Sequence, residues 1–404
     1  MSLYFNNNNS YNNNNNNINN NIDISEINCV PNDYLIQDTI NDTVQSLKFI
    51  KMNNQNILAS GGWDNSIRLF NVQYQLNSLN NFNNNNNAKS ASINANMIAT
   101  KQLNNPVLGL CWKPNTSNLL ISDCEGGLFN YDIQSNNIIQ IGKHNAGCKE
   151  ITYYNENNNS ILISGSWDKY LNFWDFRQPN PINSINLQGK IQTVSCSKEL
   201  LIVGYDALDL AYYDMRKFGL NFQSEITFKS HLKLNTKTVA TFPNGDGYVI
   251  GSIEGRIAVK YINANKNYRD IKSNILIEPK DFGYRSHRIG SDIYAVNTIA
   301  FNYGYNSSFA TGGGDGSFAI WDKDSKLKLR VGNFEDRAPI TALDYNYSGD
   351  MLAYAAGNDW GKGLYSNNYK PRIGIHYLQE CERYSNHNQR NNNTYSNLSN
   401  YYRK

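Results

Sequence analysis

The chain has 404 residues, of which 40% are hydrophobic and 18% are charged. That apolar share is enough for a sizeable core and excludes a chain that is disordered throughout. The 37 basic and 34 acidic residues leave a net charge of +3, so the chain as a whole has no strong attraction for nucleic acid or an anionic membrane. Any such binding has to come from a local patch.

Asparagine-rich or polar tracts stand at the start, within and at the end of the chain. Such tracts bury too little apolar surface to offset the entropy cost of ordering them. We therefore expect a disordered tail at 1–29, a passive loop insertion at about 77–94 and a polar tail at 381–404. One folded domain, 30–380, holds the insertion.

The sequence gives no support for a metal-binding, disulfide-rich, secreted or membrane-spanning protein. The 6 cysteines are scattered singly, without the paired spacing of a zinc site or a disulfide framework. The N-terminal tract lacks the basic start and apolar stretch of a signal peptide, and long apolar runs are missing. We expect a reducing compartment, no cofactor or metal and no membrane insertion.

A repeated unit organises the remaining sequence, which is rich in Tyr (28) and Phe (16) and poor in Pro (9). In each copy a short apolar strand enters a small-residue turn with an Asp, and an alternating strand then closes on an aromatic residue. Clear copies span 58–71, 162–175 and 309–322. A further copy spans 120–132, weaker ones span 203–214 and 251–262, and a degenerate one spans 352 to about 377.

This pattern resembles the WD-repeat β-propeller. The resemblance implies an all-β fold, a seven-bladed WD-repeat propeller in which each four-stranded blade packs against its neighbours. The segment 34–40 lies ahead of the first blade and is the natural strand to close the seventh. The Asn-rich N-terminus, the internal insertion and the C-terminal tail lie outside this repeat.

The third unit carries a set of polar and aromatic residues at the spacing of a structural tetrad. In similar blades these residues form a side-chain hydrogen-bond chain between strands; here they are His144, Ser164, Asp168 and Trp174. A hydrolase triad is the alternative, but the Ser lies inside a strand and lacks the G-x-S-x-G turn. We expect a structural role and no catalysis.

The sixth unit repeats part of this set. It has Thr311, Asp315 and Trp321, with Asp292 where a His would fall. We therefore expect the tetrad of this blade to be incomplete.

Three segments are more specific than the repeat itself, namely 251–262, 284–288 and 292–297. They are similar to a narrow group of WD-repeat proteins: the nuclear mRNA export factor and its sibling, the mitotic spindle checkpoint adaptor. The resemblance implies binding of an acidic GLEBS segment, from a Phe-Gly nucleoporin or from a checkpoint kinase. Segments 165–175, 321–328 and 358–363 favour the export branch. The resemblance also implies a monomeric propeller within a hetero-complex, which is located in the nucleus and at the nuclear pore and shuttles to the cytoplasm.

Arg256, two residues after a blade turn, is the candidate anchor for a partner carboxylate. A planar guanidinium can grip a carboxylate with two bonds, which at a partly desolvated interface contributes about 2 kcal/mol, against under about 1 kcal/mol at an open surface. The alternative is an internal pair with Glu254 or with an Asp of a neighbouring blade. The resemblance favours binding of a partner by both Arg256 and Glu254.

A basic and aromatic surface is the second candidate. In similar export factors this region is suggested to meet single-stranded RNA or a hydrophobic anchor of a competing protein, and aromatic residues beside cations suit both stacking and phosphate contact. Its members are Tyr284, Arg285, Arg288, Lys323, Lys326, Lys328 and Arg330. The last three alternate with leucines, as on a solvated outer strand, so Tyr284 and Lys323 are the better contact candidates. Trp321 is expected in the blade core.

A third reading comes from residues 174–177, Trp-Asp-Phe-Arg. They resemble the short W-D-x-R signature of substrate receptors of cullin ubiquitin ligases. An enzyme has the least support, because no phosphate-binding glycine loop, metal-ligand cluster or nucleophile elbow occurs.

Overall fold

The computed structural model describes residues 33–36, 40–52, 55–77, 90–156, 159–219, 222, 226–230, 232–262, 282–361 and 369–383. Within these ranges the chain forms seven four-stranded antiparallel sheets and one two-stranded hairpin. The innermost strand of each sheet packs against those of its two neighbours, and the first sheet also contacts the last. The structure is therefore an all-β, seven-bladed propeller, as the sequence predicts.

Each blade is a meander that runs from the central channel outward. The outermost strand of the last blade comes first in the chain, as β1 (Tyr34–Ile36). Blade 1 comprises β2 (Val44–Phe49), β3 (Ile57–Gly62), β4 (Ser66–Asn77) and β5 (Ser90–Gln102). Blade 2 comprises β6 (Val107–Trp112), β7 (Asn118–Asp123), β8 (Gly127–Asp132) and β9 (Asn137–Lys143). Blade 3 comprises β10 (Cys148–Glu156), β11 (Asn159–Ser166), β12 (Tyr170–Trp174) and β13 (Asn183–Asn186).

Blades 4 to 7 continue the same order. Blade 4 comprises β14 (Ile191–Ser197), β15 (Leu200–Tyr205), β16 (Asp209–Asp214) and, after a 3-10 turn (Met215–Lys217), β17 (Ile226–Lys229). Blade 5 comprises β18 (Thr236–Thr241), β19 (Gly247–Ser252), β20 (Arg256–Tyr261) and β21 (Phe282–Arg285). The hairpin β22 (Arg288–Ile289) and β23 (Asp292–Ile293) leads to blade 6, with β24 (Val296–Phe301), β25 (Ser308–Gly313), β26 (Ser317–Asp322) and β27 (Leu327–Asn333). Blade 7 has β28 (Ile340–Tyr345), β29 (Met351–Ala356) and β30 (Arg372–Tyr377), and the helical turn α1 (Glu380–Arg383) follows.

The two ends of the propeller meet in blade 7. Strand β1 pairs with β30, with Tyr34 opposite Ile375 and Ile36 opposite Ile373. Ile36 and Ile40 also join the apolar cluster shared by blades 7 and 1. The closing strand thus lies where the sequence predicts, and it brings together residues more than three hundred positions apart.

The apolar core is divided among the contacts between neighbouring blades. Seven clusters of buried hydrophobic residues occupy these contacts, one for each pair of blades. Between blades 3 and 4, for example, Phe173 and Tyr213 are fully buried. A blade cannot cover both of its faces alone, so burial of these side chains depends on the complete ring.

The described residues change the expected boundaries at two places. Strands β4 and β5 stay paired out to Asn77 opposite Ser90, so the stem of the insertion is a long hairpin and 90–94 is strand, not loop. The C-terminal tail was expected from 381, yet α1 packs on the propeller with Glu382 buried. The tail at 1–29 and residues 78–89 and 384–404 lie outside the described residues.

A buried charge cluster attaches α1 and the N-terminal strand to the propeller. His376 on β30 lies 2.7 Å from Asp33 through Nδ1 and 3.0 Å from Glu382 through Nε2. Arg330 on β27 donates to the other oxygen of Glu382, and the Tyr354 hydroxyl donates to Asp33 at 2.6 Å. Burial disfavours the charged imidazole, but the two carboxylates outweigh burial and raise the pKa of His376 to about 9.

This cluster predicts a loss of stability in mild alkali. A histidine in an unfolded chain has a pKa of about 6.5, so the contribution of His376 is fully present below about pH 6.5 and is lost as the pH rises through about 9. We expect the free energy of unfolding of the full chain, from urea titrations across this window, to fall more steeply in the wild type than in His376→Gln.

His144→Gln is the matched control, because burial lowers the pKa of His144 and that side chain does not titrate in the same window. It should reduce stability but keep the slope with pH. An equal slope in His376→Gln and the wild type would contradict the prediction.

Candidate functional site

The turn between β19 and β20 presents the anchor residue of blade 5. Gly255 adopts a positive φ of +65°, and a side chain there would meet the carbonyl oxygens of His287 and Tyr294. The Ser252 hydroxyl accepts the backbone N–H of Glu254 at 3.2 Å. This tight turn sets Arg256 at the first position of β20.

Arg256 has an internal neighbour and also faces solvent. Its Nε lies 3.6 Å from Glu254 Oε2, and its side chain is 42% exposed. That distance makes the contact an ion pair rather than a close hydrogen bond. The second oxygen of Glu254 accepts the backbone N–H of Lys233 at 2.8 Å, so Glu254 is fixed against the protein as a wall of the site.

A second arginine stands directly across from the first. Arg256 on β20 and Arg285 on β21 are cross-strand partners, and Arg285 is exposed. Like charges at such positions repel. Arg288, at the start of β22, is exposed as well, and Asp292 across that hairpin is an exposed carboxylate of opposite charge. We call Arg256, Arg285 and Arg288 the arginine site.

Exposed isoleucines, which the sequence analysis did not single out, border the arginine site. Ile253 in the turn, Ile289 on β22 and Ile293 on β23 are between 37% and 52% exposed. Ile293 lies against the turn, because its Cγ2 would be 3.2 Å from a side chain placed at Gly255. The signal in the sequence is isoleucine within short, otherwise polar turn segments.

Two of the expected contact residues are buried, which corrects the prediction for them. The Lys323 side chain is only 9% exposed and pairs with Asp324 at 2.5 Å. Its Nζ lies 5.1 Å from the centre of the Phe242 ring of blade 5, so Lys323 contributes to the contact between blades. Arg330 is 10% exposed and is bound to Glu382, because α1 covers this part of β27.

The rest of the basic and aromatic surface forms a narrow strip along the edge of blade 6. Lys326 and Lys328 are exposed, as is Leu327 between them. The Lys328 ammonium lies 5.3 Å from the centre of the Trp321 ring, which is buried, as expected. Tyr284 stacks on the same ring at 4.9 Å. Its hydroxyl donates to the Lys326 carbonyl at 2.6 Å, so Tyr284 supports the strip from within.

The four tetrad residues of blade 3 form a continuous chain of hydrogen bonds. His144 lies 2.7 Å from the Ser164 hydroxyl and 3.1 Å from Asp168, and the indole N–H of Trp174 donates to Ser164 at 2.8 Å. Burial lowers the pKa of His144, which favours a neutral ring. Ser164 is fully buried, so its hydroxyl ties strands together and is closed to a substrate.

Blade 6 has a complete tetrad, which overturns the expectation that it lacks one. His287 lies 2.9 Å from Asp315 and 3.1 Å from Thr311, and Trp321 donates to Thr311 at 3.0 Å. The separation of His and Asp is 28 residues here and 24 in blade 3. The β22–β23 hairpin supplies the extra length, so a search at the blade 3 spacing arrives near Asp292 instead.

The Trp-Asp-Phe-Arg segment of blade 3 has a local explanation. Arg177 binds Asp175, two residues before it, through Nε at 2.9 Å and through its terminal nitrogen. Arg216 binds Asp214 in the same way in blade 4, at 2.9 and 2.6 Å. The D-x-R pair therefore serves as a clamp on the turn that follows the third strand in both blades.

The part of the chain described here contains no group of three or more His, Cys, Asp or Glu side chains placed to hold a metal ion. Nor does any of its helices have the length and hydropathy needed to cross a membrane.

Comparison with known proteins identifies relatives over most of the chain. The WD domain, G-beta repeat family matches residues 38–71 and 141–175. Protein Rae1 of Drosophila melanogaster is 30% identical over 87% of this chain and 94% of its own length. The poly(A)+ RNA export protein of Schizosaccharomyces pombe is 31% identical over 80% of this chain and 85% of its own. The mRNA export factor rae-1 of Caenorhabditis elegans is 29% identical over 85% of this chain and 88% of its own.

The blade 6 tetrad predicts that His287 carries stability and Asp292 does not. His287→Gln leaves buried oxygen atoms of Thr311 and Asp315 poorly paired, and each such group costs about 1–3 kcal/mol. We expect that loss in the free energy of unfolding measured with urea. Asp292→Asn is the control and should change it by less than about 0.5 kcal/mol, as surface substitutions do. Equal losses in the two variants would overturn the assignment.

Proposed function

The chain belongs to the Rae1/Gle2 family of WD-repeat mRNA export factors, and we propose that it is a non-enzymatic adaptor that docks on an acidic, GLEBS-type segment of a Phe-Gly nucleoporin. In this proposal the arginine site of blade 5 grips the acidic segment, and the adaptor thereby brings messenger ribonucleoprotein to the nuclear pore. It acts in the nucleus and at the nuclear envelope and shuttles to the cytoplasm, as a monomeric propeller within a hetero-complex.

The observation that carries the proposal is the cross-strand pair of Arg256 and Arg285. Two cations that repel each other on an exposed strand pair are relieved by a carboxylate placed between them. Glu254 does this only in part, because it contacts Arg256 at 3.6 Å and is also held by the Lys233 backbone. An acidic residue of a partner is the chemistry that completes the site.

The surroundings of the arginine site favour a peptide over a free ion. An exposed ion pair contributes under about 1 kcal/mol, whereas a partly desolvated charged hydrogen bond contributes about 1.5–3 kcal/mol. Ile289 and Ile293 stand on the hairpin that carries Arg288. Apolar side chains of a docking segment would cover these isoleucines and exclude water from the charged contacts.

Single-stranded RNA is a second proposed contact, on the strip along blade 6. Lys326 and Lys328 are the exposed cations there, and Leu327 between them is 46% exposed. Phosphates would meet the two ammonium groups. Trp321 is only 2% exposed, so bases cannot stack on it as the structure stands, and the contact would be mainly electrostatic and insensitive to sequence.

The checkpoint reading uses the same arginine site with the acidic segment of a kinase. Partner identity separates it from the export reading, and the relatives are named for export. The ubiquitin ligase reading rested on Arg177, whose guanidinium is engaged by Asp175.

Calorimetric titration of the full chain with two acidic peptides tests the docking proposal. One peptide comes from a Phe-Gly nucleoporin and the other from a checkpoint kinase. We expect the nucleoporin peptide to bind more tightly and to lose at least tenfold in affinity with Arg256→Ala, since about 1.4 kcal/mol corresponds to tenfold. Arg285→Ala should weaken binding in the same direction.

Arg177→Ala is the control, because it removes an exposed arginine that also pairs with a nearby carboxylate, but in blade 3. It should leave the affinity unchanged. Preference for the kinase peptide would replace export by the checkpoint role while keeping the anchor, and failure of both peptides to bind would reject the arginine site.

The RNA proposal is tested by the salt dependence of binding to a single-stranded oligonucleotide. Each phosphate contact contributes about 0.7 to the slope of log affinity against log salt concentration for single strands. The double variant Lys326→Ala, Lys328→Ala should lower that slope by about 1.4. Lys143→Ala, on the outer strand of blade 2, is the control. An unchanged slope in the double variant would show that RNA does not use this strip.

A further inference from the structure

The seven inner strands share one irregularity that builds a ring inside the channel. In each of them a β-bulge leaves the second residue of the strand out of the pairing with the next strand. These residues all line one cavity of the central channel, and they are Gln45, Leu108, Lys149, Gln192, Lys237, Asn297 and Thr341. Each blade thus contributes one side chain to this ring, which we call the bulge ring.

The bulge ring is rich in hydrogen-bond donors and contains no carboxylate. Two of its members are lysines, and the amide groups of Gln45 and Gln192 add neutral donors. The Thr341 hydroxyl already donates to the Val44 carbonyl at 2.6 Å. Lys48 also lines the cavity, and Glu150 is its acidic lining residue. The carboxylate of Glu150 accepts the backbone N–H of Val194 in the next blade at 3.0 Å, which holds it to the channel wall. The cavity lining therefore has more positive than negative charge.

The two lysines of the ring differ in how they are held. Lys237 donates to Asn297 Oδ1 at 2.6 Å, and the Asn297 amide nitrogen is in turn held by the Ile340 carbonyl and by Asp359. The Lys149 ammonium has no hydrogen-bond or ion-pair partner among the described residues, although the charge of Glu150 acts on it. Lys149 is thus a half-buried cation of the channel wall that still has all of its donors to offer.

The electrostatics of the pair point in the same direction. Burial lowers the pKa of Lys149. Burial also lowers the pKa of Lys237, which the positive charge of Lys149 lowers further against the attraction of Asp359. Two partly desolvated ammonium groups that repel each other across one cavity are stabilised when an anion enters between them.

The size of the cavity limits what that anion can be. Its volume is about 80 Å³, which is room for several water molecules. A single phosphate group fits such a space. The donors come from several blades around the ring, an arrangement that suits an oxyanion with oxygens in several directions.

We propose that the bulge ring binds one phosphate group, held by Lys149 and Lys237 with the help of Gln45 and Gln192. The bound group links blade 3 to blade 5 across the channel and so stabilises the ring of blades. The group is either free phosphate or the phosphate end of a small monoester that enters through the mouth of the channel. This site is separate from the arginine site and does not depend on it.

Titration calorimetry of the full chain in a phosphate-free buffer tests the proposal. Inorganic phosphate is the first probe and glycerol phosphate, a small monoester, is the second. We expect saturable binding of one phosphate per chain and at least a tenfold loss of affinity in both Lys149→Met and Lys237→Met. Lys143→Met, which removes an exposed lysine of β9, should keep the wild-type affinity.

Thermal unfolding gives a second measurement, which is also informative for variants that do not bind phosphate. Phosphate should raise the Tm of the wild type and of Lys143→Met, and leave that of Lys149→Met unchanged. Without phosphate, Lys149→Met should unfold at a Tm equal to or above that of the wild type, because it removes an unpaired, partly desolvated charge from the channel wall. Lys149→Gln replaces it if Lys149→Met does not fold.

Each outcome decides the proposal. Binding of phosphate alone, with loss in the two ring variants, supports the ring and identifies free phosphate as the source. Binding of both probes, with the same loss, supports the ring and identifies a monoester as the source. No saturable binding of either probe overturns it. Retained affinity in the two ring variants, or an equal loss in Lys143→Met, shows that phosphate binds elsewhere and also overturns it.

Discussion

The pairing of β1 with β30 is the contact on which the rest of the structure depends. Each blade leaves two apolar faces that only its neighbours can cover, so an open ring would expose the cluster shared by blades 7 and 1. The closing strand is only 3 residues long. Asp33, just before β1, adds bonds to His376 and Tyr354. This short strand thus closes the ring through backbone pairing and charged contacts, and the central channel depends on that closure.

Most of the fold could be predicted because the information is local. A turn with Asp and Gly between alternating strands defines a blade within a few residues, and seven copies define the ring. His287 could not be placed in the same way. Its identity as a tetrad residue depends on a hairpin that changes the spacing to Asp315. Sequence spacing alone does not reveal which residues an insertion skips.

The candidate site was harder to predict, since exposure depends on what packs over a strand. Arg330 and Lys328 lie on the same strand, but α1 returns from the end of the propeller and buries Arg330 against Glu382, while Lys328 stays exposed. Lys323 is buried by rings of the neighbouring blade. Alternation of charged and apolar residues identifies a strand with one buried and one exposed face. It does not reveal that a segment distant in sequence, such as α1, packs over the exposed face.

The asparagine-rich insertion lies far from the proposed binding surfaces, and the stem that carries it explains why the propeller tolerates it. The insertion begins and ends on β4 and β5, the outer strands of blade 1, which stay paired over 12 and 13 residues. Tyr74 on β4 secures this hairpin to blade 7, donating to Asp350 at 2.6 Å and lying 5.1 Å from the Tyr377 ring. Lengthening a loop beyond such a stem costs free energy only with the logarithm of its length. The inner strands that carry the bulge ring, and the turns that carry the arginine site, are therefore independent of the insertion.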